Sequence, residues 1–102
     1  MTGLRVRGVD DGSVFFVSGE LDMATADEFE KAVSSCLSGE GEVVLDISEV
    51  SFMDSTGIRA TLRLARQLGD RPLVLRRPTP TVDRVLHVVQ IDDIANISIE
   101  RD

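Results

Sequence analysis

The stretch EVVLDISEVSFMDSTGIRATLRLARQL, residues 42–68, joins a strand pattern to a helix pattern and decides the fold class. Its first part, EVVLDIS, is nearly continuous in apolar residues, which is typical of a central parallel strand covered by helices on both sides. Its last part, GIRATLRLARQL, consists of good helix formers. Four small or turn-prone residues stand at the junction: Asp54, Ser55, Thr56 and Gly57. Such residues cap a helix, offer a hydroxyl group to chemistry, or do both.

Strand and helix patterns alternate along the rest of the chain. LRVRGV (4–9) and SVFFVSG (13–19) flank the turn sequence DDG and predict an N-terminal hairpin. RPLVLRR (71–77) is a second short apolar strand, and Ile97 and Ile99 alternate with polar residues in a closing edge strand. The order β-β-α-β-α-β-α-β predicts an α/β fold with a mixed, mostly parallel sheet of about five strands. About three or four helices pack on that sheet through right-handed crossovers.

The first and last helices carry their own start and stop signals. A capping box of Thr25 and Glu28 begins the first helix, and Gly39 supplies its left-handed stop. Thr79 and Pro80 are typical of the N-cap and first position of the last helix. That helix is expected to direct four apolar side chains inward: Val82, Val85, Leu86 and Val89.

Length and composition favour a single domain, residues 1–102, with an aliphatic core. A net charge of −7 disfavours direct binding to nucleic acid, which needs clustered cations. No apolar run approaches the roughly 20 residues of a membrane span, so no membrane contact is expected. The lack of a signal-like N-terminus and the single cysteine, Cys36, indicate the cytoplasm. Cys36 falls on the apolar face of the first helix, where we expect a core residue.

The MDSTG segment follows a parallel strand, at the sheet end where α/β folds carry their sites. A hydroxyl there lies near the unpaired N–H groups and positive dipole end of the next helix, which would tolerate a phosphate. On a helical projection, four residues share one side: Ser55, Arg59, Arg63 and Arg66. The apolar residues point the other way: Ile58, Leu64, Ala65 and Leu68.

Other polar residues carry weaker signals. Asp46 is expected at the end of its strand, satisfied by loop amides, and His87 is expected to be structural or exposed. A hydrolase set of Ser55, His87 and Asp46 is disfavoured because MDSTG is not a G-x-S-x-G elbow. Asp92 and Asp93 are typical of a solvated turn. No nucleotide or metal motif is found, so we expect no enzyme activity, no catalytic residue, no metal and no cofactor.

Two motifs, GELD (19–22) and FMDSTG (52–57), resemble those of the STAS domain of bacterial anti-sigma-factor antagonists. The resemblance covers nearly the whole chain, including PTPTVDRVLHVVQIDD near its end. It implies a protein that binds a kinase-type anti-sigma factor and frees the sigma factor held by it. Ser55 matches the serine phosphorylated by that Ser/Thr kinase, which supplies the ATP; Thr56 matches a neighbour that is usually not the main acceptor. The resemblance further implies that phosphorylation ends binding and that a metal-dependent Ser/Thr phosphatase resets the protein.

The resemblance also implies a partner-binding surface of seven residues: Glu20, Asp22, Met53, Asp54, Thr56, Gly57 and Arg59. Asp22 matches an acidic position near the partner surface, whereas Arg59 stands where many family members have glycine. We expect Arg59 either to be solvated or to pair with an acidic patch on the partner or with the phosphate. STAS domains also occur as stressosome scaffolds, lipid-transporter subunits and anion-transporter tails. A non-switching scaffold or an accessory subunit of a lipid-transport complex is therefore the alternative function.

Overall fold

Strands and helices alternate in the computed structural model, which describes residues 3–9, 12–37, 39–94 and 96–101. The strands are β1 (Leu4–Val9), β2 (Val14–Leu21), β3 (Val43–Met53), β4 (Leu73–Arg76) and β5 (Ile97–Glu100). The helices are α1 (Ala26–Cys36), α2 (Ser55–Leu68) and α3 (Pro80–Val88), and a short 3-10 helix follows at Ile91–Asp93. The predicted order of elements is confirmed.

The five strands form one sheet in the order β1-β2-β3-β4-β5. β1 pairs antiparallel with β2, and every later pair is parallel. The predicted hairpin, the central position of β3 and the edge position of β5 are therefore confirmed. Asp10 and Asp11 of the expected hairpin turn lie outside the described residues. No helix in the described ranges is long and apolar enough to cross a membrane.

The hydrophobic core lies on one face of this sheet. All three helices supply side chains to it, such as Phe29 from α1, Leu64 from α2 and Leu86 from α3. The strands supply mainly alternate residues: Phe15, Val17, Val43, Leu45, Ile47, Leu73, Leu75 and Ile97. Because successive side chains of a strand point to opposite faces, this alternation assigns all three helices to the same side.

The opposite face of the sheet carries the intervening residues, among them Phe16, Val44, Asp46 and Val74. It is here called the helix-free face, because α1, α2 and α3, the α-helices of the described residues, all pack on the other side. The expectation of helices on both sides of β3 is therefore wrong. β2 to β5 follow one another across the sheet, so crossovers of one hand place each connecting helix on the same face. Val44 and Val74 are nevertheless buried, as their apolar run predicted.

β3 is longer than its apolar run. It continues through the polar residues to Met53, because its second half pairs with the end of β2 in the register Gly19 with Val50 and Leu21 with Met53. Asp46 is consequently a mid-strand residue and not a strand end, which corrects that expectation. α2 begins at Ser55, so Thr56 and Gly57 belong to its first turn.

Three local predictions for α1 are wrong. Thr25 makes no side-chain cap, because its hydroxyl donates to the Glu20 carbonyl oxygen at 2.6 Å instead. Cys36 is exposed, since it is the last residue of the helix and lies beyond the buried stripe that ends at Val33. Gly39 does have a positive φ of 69°, but the helix has already ended before it.

α3 begins as predicted and ends earlier than expected. The Thr79 hydroxyl accepts a hydrogen bond from the Val82 N–H at 3.3 Å, with Pro80 in the first turn. Val82 and Leu86 are buried and Val85 packs partly against the core. Val89 is exposed, which corrects its predicted inward position, because the helix ends at Val88.

Candidate functional site

The GELD and FMDSTG segments meet at the carboxyl ends of β2 and β3. The strand register pairs Glu20 with Phe52 and Leu21 with Met53. Beyond the last pair, the Asp54 N–H donates to the Leu21 carbonyl oxygen at 3.1 Å. The two motifs, separated by about thirty residues of chain, therefore form one surface at this end of the sheet.

Asp54 is the N-cap of α2. One of its carboxylate oxygens, Oδ1, accepts hydrogen bonds from the Thr56 N–H at 2.9 Å and the Gly57 N–H at 3.2 Å. The same oxygen accepts the Thr56 hydroxyl at 2.5 Å. This last bond is the main cause that lowers the pKa of Asp54, and the two backbone N–H groups act in the same direction. The carboxylate is thus fixed in its charged form at the start of the helix.

The neighbouring hydroxyls of Ser55 and Thr56 differ in availability. Thr56 is half-buried and its hydroxyl is engaged by Asp54. Ser55 is exposed, and no described residue forms a hydrogen bond with its hydroxyl. The Ser55 hydroxyl is therefore open to solvent at the start of α2, whereas the Thr56 hydroxyl is held by Asp54.

Gly57 permits a close approach between α2 and the ends of the strands. A Cβ atom at this position would lie 2.8 Å from the Leu21 carbonyl oxygen and 2.9 Å from the Met53 Cγ atom. Such contacts are too short for any side chain, so only glycine allows this packing. Met53 and Gly57 are both buried, and in this structure they support the site from beneath.

The loop after β2 is ordered by its own polar groups. The Asp22 carboxylate accepts the Ala24 N–H at 3.0 Å. The backbone carbonyl oxygen of Asp22 accepts the Thr25 and Ala26 N–H groups. The Thr25 hydroxyl, bound to the Glu20 carbonyl oxygen, closes the loop. Glu20 and Asp22 remain half-exposed and bring negative charge close to Asp54.

Two apolar side chains beside the joined GELD and FMDSTG segments are exposed, which the sequence patterns do not predict. Met23 is 83% exposed and Phe52 is 44% exposed. Their positions directly after GELD and at the start of FMDSTG were the available signal, but hydrophobic periodicity alone assigns such residues to a core. Exposed apolar groups beside a polar site are typical of protein interaction surfaces.

The arginine side of α2 has the predicted orientation. Ser55, Arg59, Arg63 and Arg66 are exposed, and Ile58, Leu64, Ala65 and Leu68 are buried. The Arg63 Nε atom bonds the Glu30 carboxylate of α1 at 2.8 Å. Arg59 has no ion pair within the part of the chain that the structure describes, and it lines a groove with Met23, Asp27 and Thr56. Arg59 is therefore the arginine available beside Ser55.

The nominal hydrolase set is not assembled. The carboxylate of Asp46 is bound to Arg76, Arg77 and Ser48. Asp46 also lies seven residues before Met53 on one strand, a separation of roughly 23 Å at the usual rise per residue. His87 is exposed on α3, as expected. Among residues 3–9, 12–37, 39–94 and 96–101, no group of three or more His, Cys, Asp or Glu could hold a metal ion.

Two curated relatives are similar to this chain over most of its length. The chain is 34% identical over 97 residues to the anti-sigma-B factor antagonist of Listeria monocytogenes serovar 1/2a. The matched region covers 92% of this chain and 84% of that protein. It has the same identity and coverage with the anti-sigma-B factor antagonist of Listeria innocua serovar 6a.

Solved structures share the architecture. The crystal structure of an anti-sigma factor antagonist from Mycobacterium paratuberculosis superposes with a TM-score of 0.77 at 28% identity, covering 100% of this chain and 87% of that one. The structure of the anti-sigma factor antagonist SpoIIAA in its unphosphorylated form shares the fold, with a TM-score of 0.72 at 20% identity. The superposition covers 95% of this chain and 87% of the SpoIIAA chain. The family model described as STAS domain matches residues 4–101. Because this match spans nearly the whole sequence, the chain belongs to the STAS domain family.

Proposed function

We propose that this chain is an anti-sigma-factor antagonist whose unphosphorylated form binds a kinase-type anti-sigma factor and frees the sigma factor. Support comes from the relatives, which carry the name anti-sigma-B factor antagonist at 34% identity. The protein is a regulatory binding module and not an enzyme, and it acts in the cytoplasm without a cofactor of its own.

The partner contacts the joined GELD and FMDSTG surface. Its polar contacts are Glu20, Asp22, Asp54, Thr56 and Arg59. Met53 and Gly57 shape the backbone beneath these contacts, because both are buried. The exposed side chains of Met23 and Phe52 add apolar area of the kind that supports protein association.

The observation that carries the switch is the free hydroxyl of Ser55 beside the engaged hydroxyl of Thr56. The partner kinase transfers the γ-phosphoryl group of ATP to Ser55, and a metal-dependent Ser/Thr phosphatase removes it. The phosphate adds about −1.5 to −2 charges next to Asp54. Asp22 and Glu20 strengthen the negative field, so an acidic partner surface is repelled and the contact is sterically blocked.

The energetic demand on this phosphate is modest. A hundredfold loss of affinity requires about 2.8 kcal/mol, since each tenfold change corresponds to about 1.4 kcal/mol. The N–H groups at the start of α2 stabilise the phosphate within the domain. The switch therefore acts on the interface and leaves the fold intact.

Intact-mass spectrometry with peptide mapping tests this function. The protein, its Ser55→Ala variant and its Thr56→Ala variant are incubated with ATP and each anti-sigma kinase of the same genome. One phosphate on wild type and on Thr56→Ala, but none on Ser55→Ala, is the expected result. Circular dichroism confirms that both variants fold. No modification by any kinase contradicts the switch and favours a scaffold or a lipid-transport subunit.

A further inference from the structure

The helix-free face carries a row of side chains that the proposed switch does not use. The register pairs Arg7 with Phe16, Phe16 with Asp46, and Asp46 with Arg76, so the four residues are neighbours across β1 to β4. The guanidinium carbon atoms of Arg7 and Arg76 lie 5.0 Å and 5.6 Å from the Phe16 ring centroid. Phe16 thus positions two cations by cation–π contact.

Both carboxylate oxygens of Asp46 are occupied by hydrogen bonds within this row. It is 1% exposed, and its Oδ2 atom accepts the Arg76 Nε–H at 3.0 Å and the Arg77 Nη2–H at 2.5 Å. Its Oδ1 atom accepts the N–H and the hydroxyl of Ser48, at 3.0 Å and 2.7 Å. One carboxylate therefore faces two guanidinium groups, and none of its capacity remains for the arginines of β1.

A pocket of about 180 Å³ opens beside the row, between Arg5, Arg7, Ser18 and Glu49. Arg5 and Arg7 have no ion pair within the described residues. Pockets for small-molecule ligands usually measure roughly 300–1,000 Å³. The smaller volume suits the entry of a single side chain of another protein.

We propose that the helix-free face binds an acidic segment of a partner protein, with one carboxylate entering the pocket between Arg5 and Arg7. Charge complementarity carries this assignment. The chain has 18 acidic and 11 basic residues, yet four arginines gather on this face: Arg5, Arg7, Arg76 and Arg77. Among the described residues, the carboxylates that border these arginines are Asp46, Glu49 and Glu100, and Asp46 is bound by Arg76 and Arg77, which leaves Arg5 and Arg7 without an ion pair. Planar guanidinium groups bind carboxylates through paired hydrogen bonds.

This acidic-segment site is separate from Ser55. Asp46 lies roughly 23 Å along β3 from Met53, and α2 begins beyond Met53 at Ser55. The site therefore goes beyond the proposed function, and it stays open whether or not Ser55 carries a phosphate. Two partners can then be bound at once, one at each site.

A titration of the ¹⁵N-labelled protein with a hexaglutamate peptide, followed by NMR, tests the site. Shift changes confined to the amides around Arg5, Arg7 and Ser18, with saturation, are expected. Arg5→Gln/Arg7→Gln weakens binding at least tenfold, whereas Arg66→Gln/Arg84→Gln, an equal charge change at exposed positions of α2 and α3, changes it less than twofold. Arg5→Gln alone is the second variant. Arg5 is exposed and stacks on no described aromatic ring, so its replacement leaves the cation–π contacts of Phe16 in place.

Three results overturn the proposal. Equal weakening by the β1 variant and the Arg66→Gln/Arg84→Gln variant indicates nonspecific attraction. Shift changes centred on α2 assign the peptide to the other surface. Inorganic phosphate that produces the same shifts with the same affinity as the peptide identifies a site for small anions. None of these readouts requires a kinase or Ser55, so the site and the proposed switch fail independently.

Discussion

The Asp54 carboxylate accepts the Thr56 hydroxyl at 2.5 Å, so the residue that caps α2 also engages one of two adjacent hydroxyls. The pairing assigns different tasks to residues that look equivalent in the sequence. Thr56 completes the helix start, while Ser55 remains free at the surface.

Asp54→Ala is expected to destabilise the domain by about 1 to 2 kcal/mol, because two N–H groups and one hydroxyl lose their acceptor. Urea denaturation followed by circular dichroism measures the change. Ser55→Ala is the matched control and should alter the free energy of unfolding by no more than about 0.5 kcal/mol. Equal effects of the two substitutions contradict the capping role.

Gly57→Ala is expected to lower the free energy of unfolding, contrary to the usual effect of this substitution in a helix. Inside a helix, alanine is ordinarily more stabilising than glycine by roughly 0.5 to 1 kcal/mol. Here the added Cβ atom meets the Leu21 carbonyl oxygen at 2.8 Å, so we expect a net loss of about 1 to 3 kcal/mol. Thermal unfolding measures the sign, with Arg66→Ala on the exposed side of α2 as control. Stabilisation by Gly57→Ala disproves the close approach.

Asp46 makes stability depend on acidic pH. Its pKa is lowered from 3.8 to about 2, because hydrogen bonds from Ser48, Arg77 and Arg76 outweigh the opposing effect of burial. A lowered pKa stabilises the fold above pH 4, and this contribution of about 2 kcal/mol is lost as the pH falls from about 4 to 2.

Urea midpoints at pH 7, 4 and 2.5 test this dependence. Asp46→Asn is expected to be less stable at pH 7 and to lose less stability than wild type between pH 4 and 2.5. Asp83→Asn is the comparison, since Asp83 is a half-exposed carboxylate paired with Arg101. An unchanged pH profile in Asp46→Asn excludes Asp46 as the titrating group.

Arg59 is expected to sense the phosphate on Ser55, four residues before it on α2. Charge pairing lowers the second pKa of a phosphoserine. In protein with phosphoserine installed at position 55, ³¹P NMR should therefore give a higher phosphate pKa for Arg59→Gln than for wild type. Arg66→Gln should match wild type. The same substitution at Arg59 should weaken binding of the unphosphorylated form to an acidic partner surface, and unchanged affinity and unchanged phosphate pKa together refute the role.

The order of elements could be predicted because apolar runs and caps are local signals. The Thr79–Pro80 start of α3 and the apolar side of α2 depend on neighbours in sequence, and both are confirmed. The length of β3 could not be predicted, because its polar second half is held by pairing with β2. Thr25 was misassigned for a similar reason: its hydroxyl binds a carbonyl oxygen outside the helix.

The site could be located in part. Asp54, Ser55 and Gly57 were visible as a small polar cluster after an apolar strand, and the resemblance supplied their expected roles. The contrast between the two hydroxyls was not visible, because it depends on which side chain Asp54 contacts. The environment of Asp46 was also hidden, since Arg76 and Arg77 lie 30 and 31 residues away in sequence.

The one-sided arrangement of helices has a consequence for how this domain can diverge. Substitutions among the core residues must preserve close packing with three helices at once. Exposed residues of the helix-free face, such as Arg5 and Arg7, pack against no helix, so their chemistry can change with little effect on folding. Related domains with this sheet can therefore acquire new partners on the helix-free face while the GELD and FMDSTG surface stays unchanged.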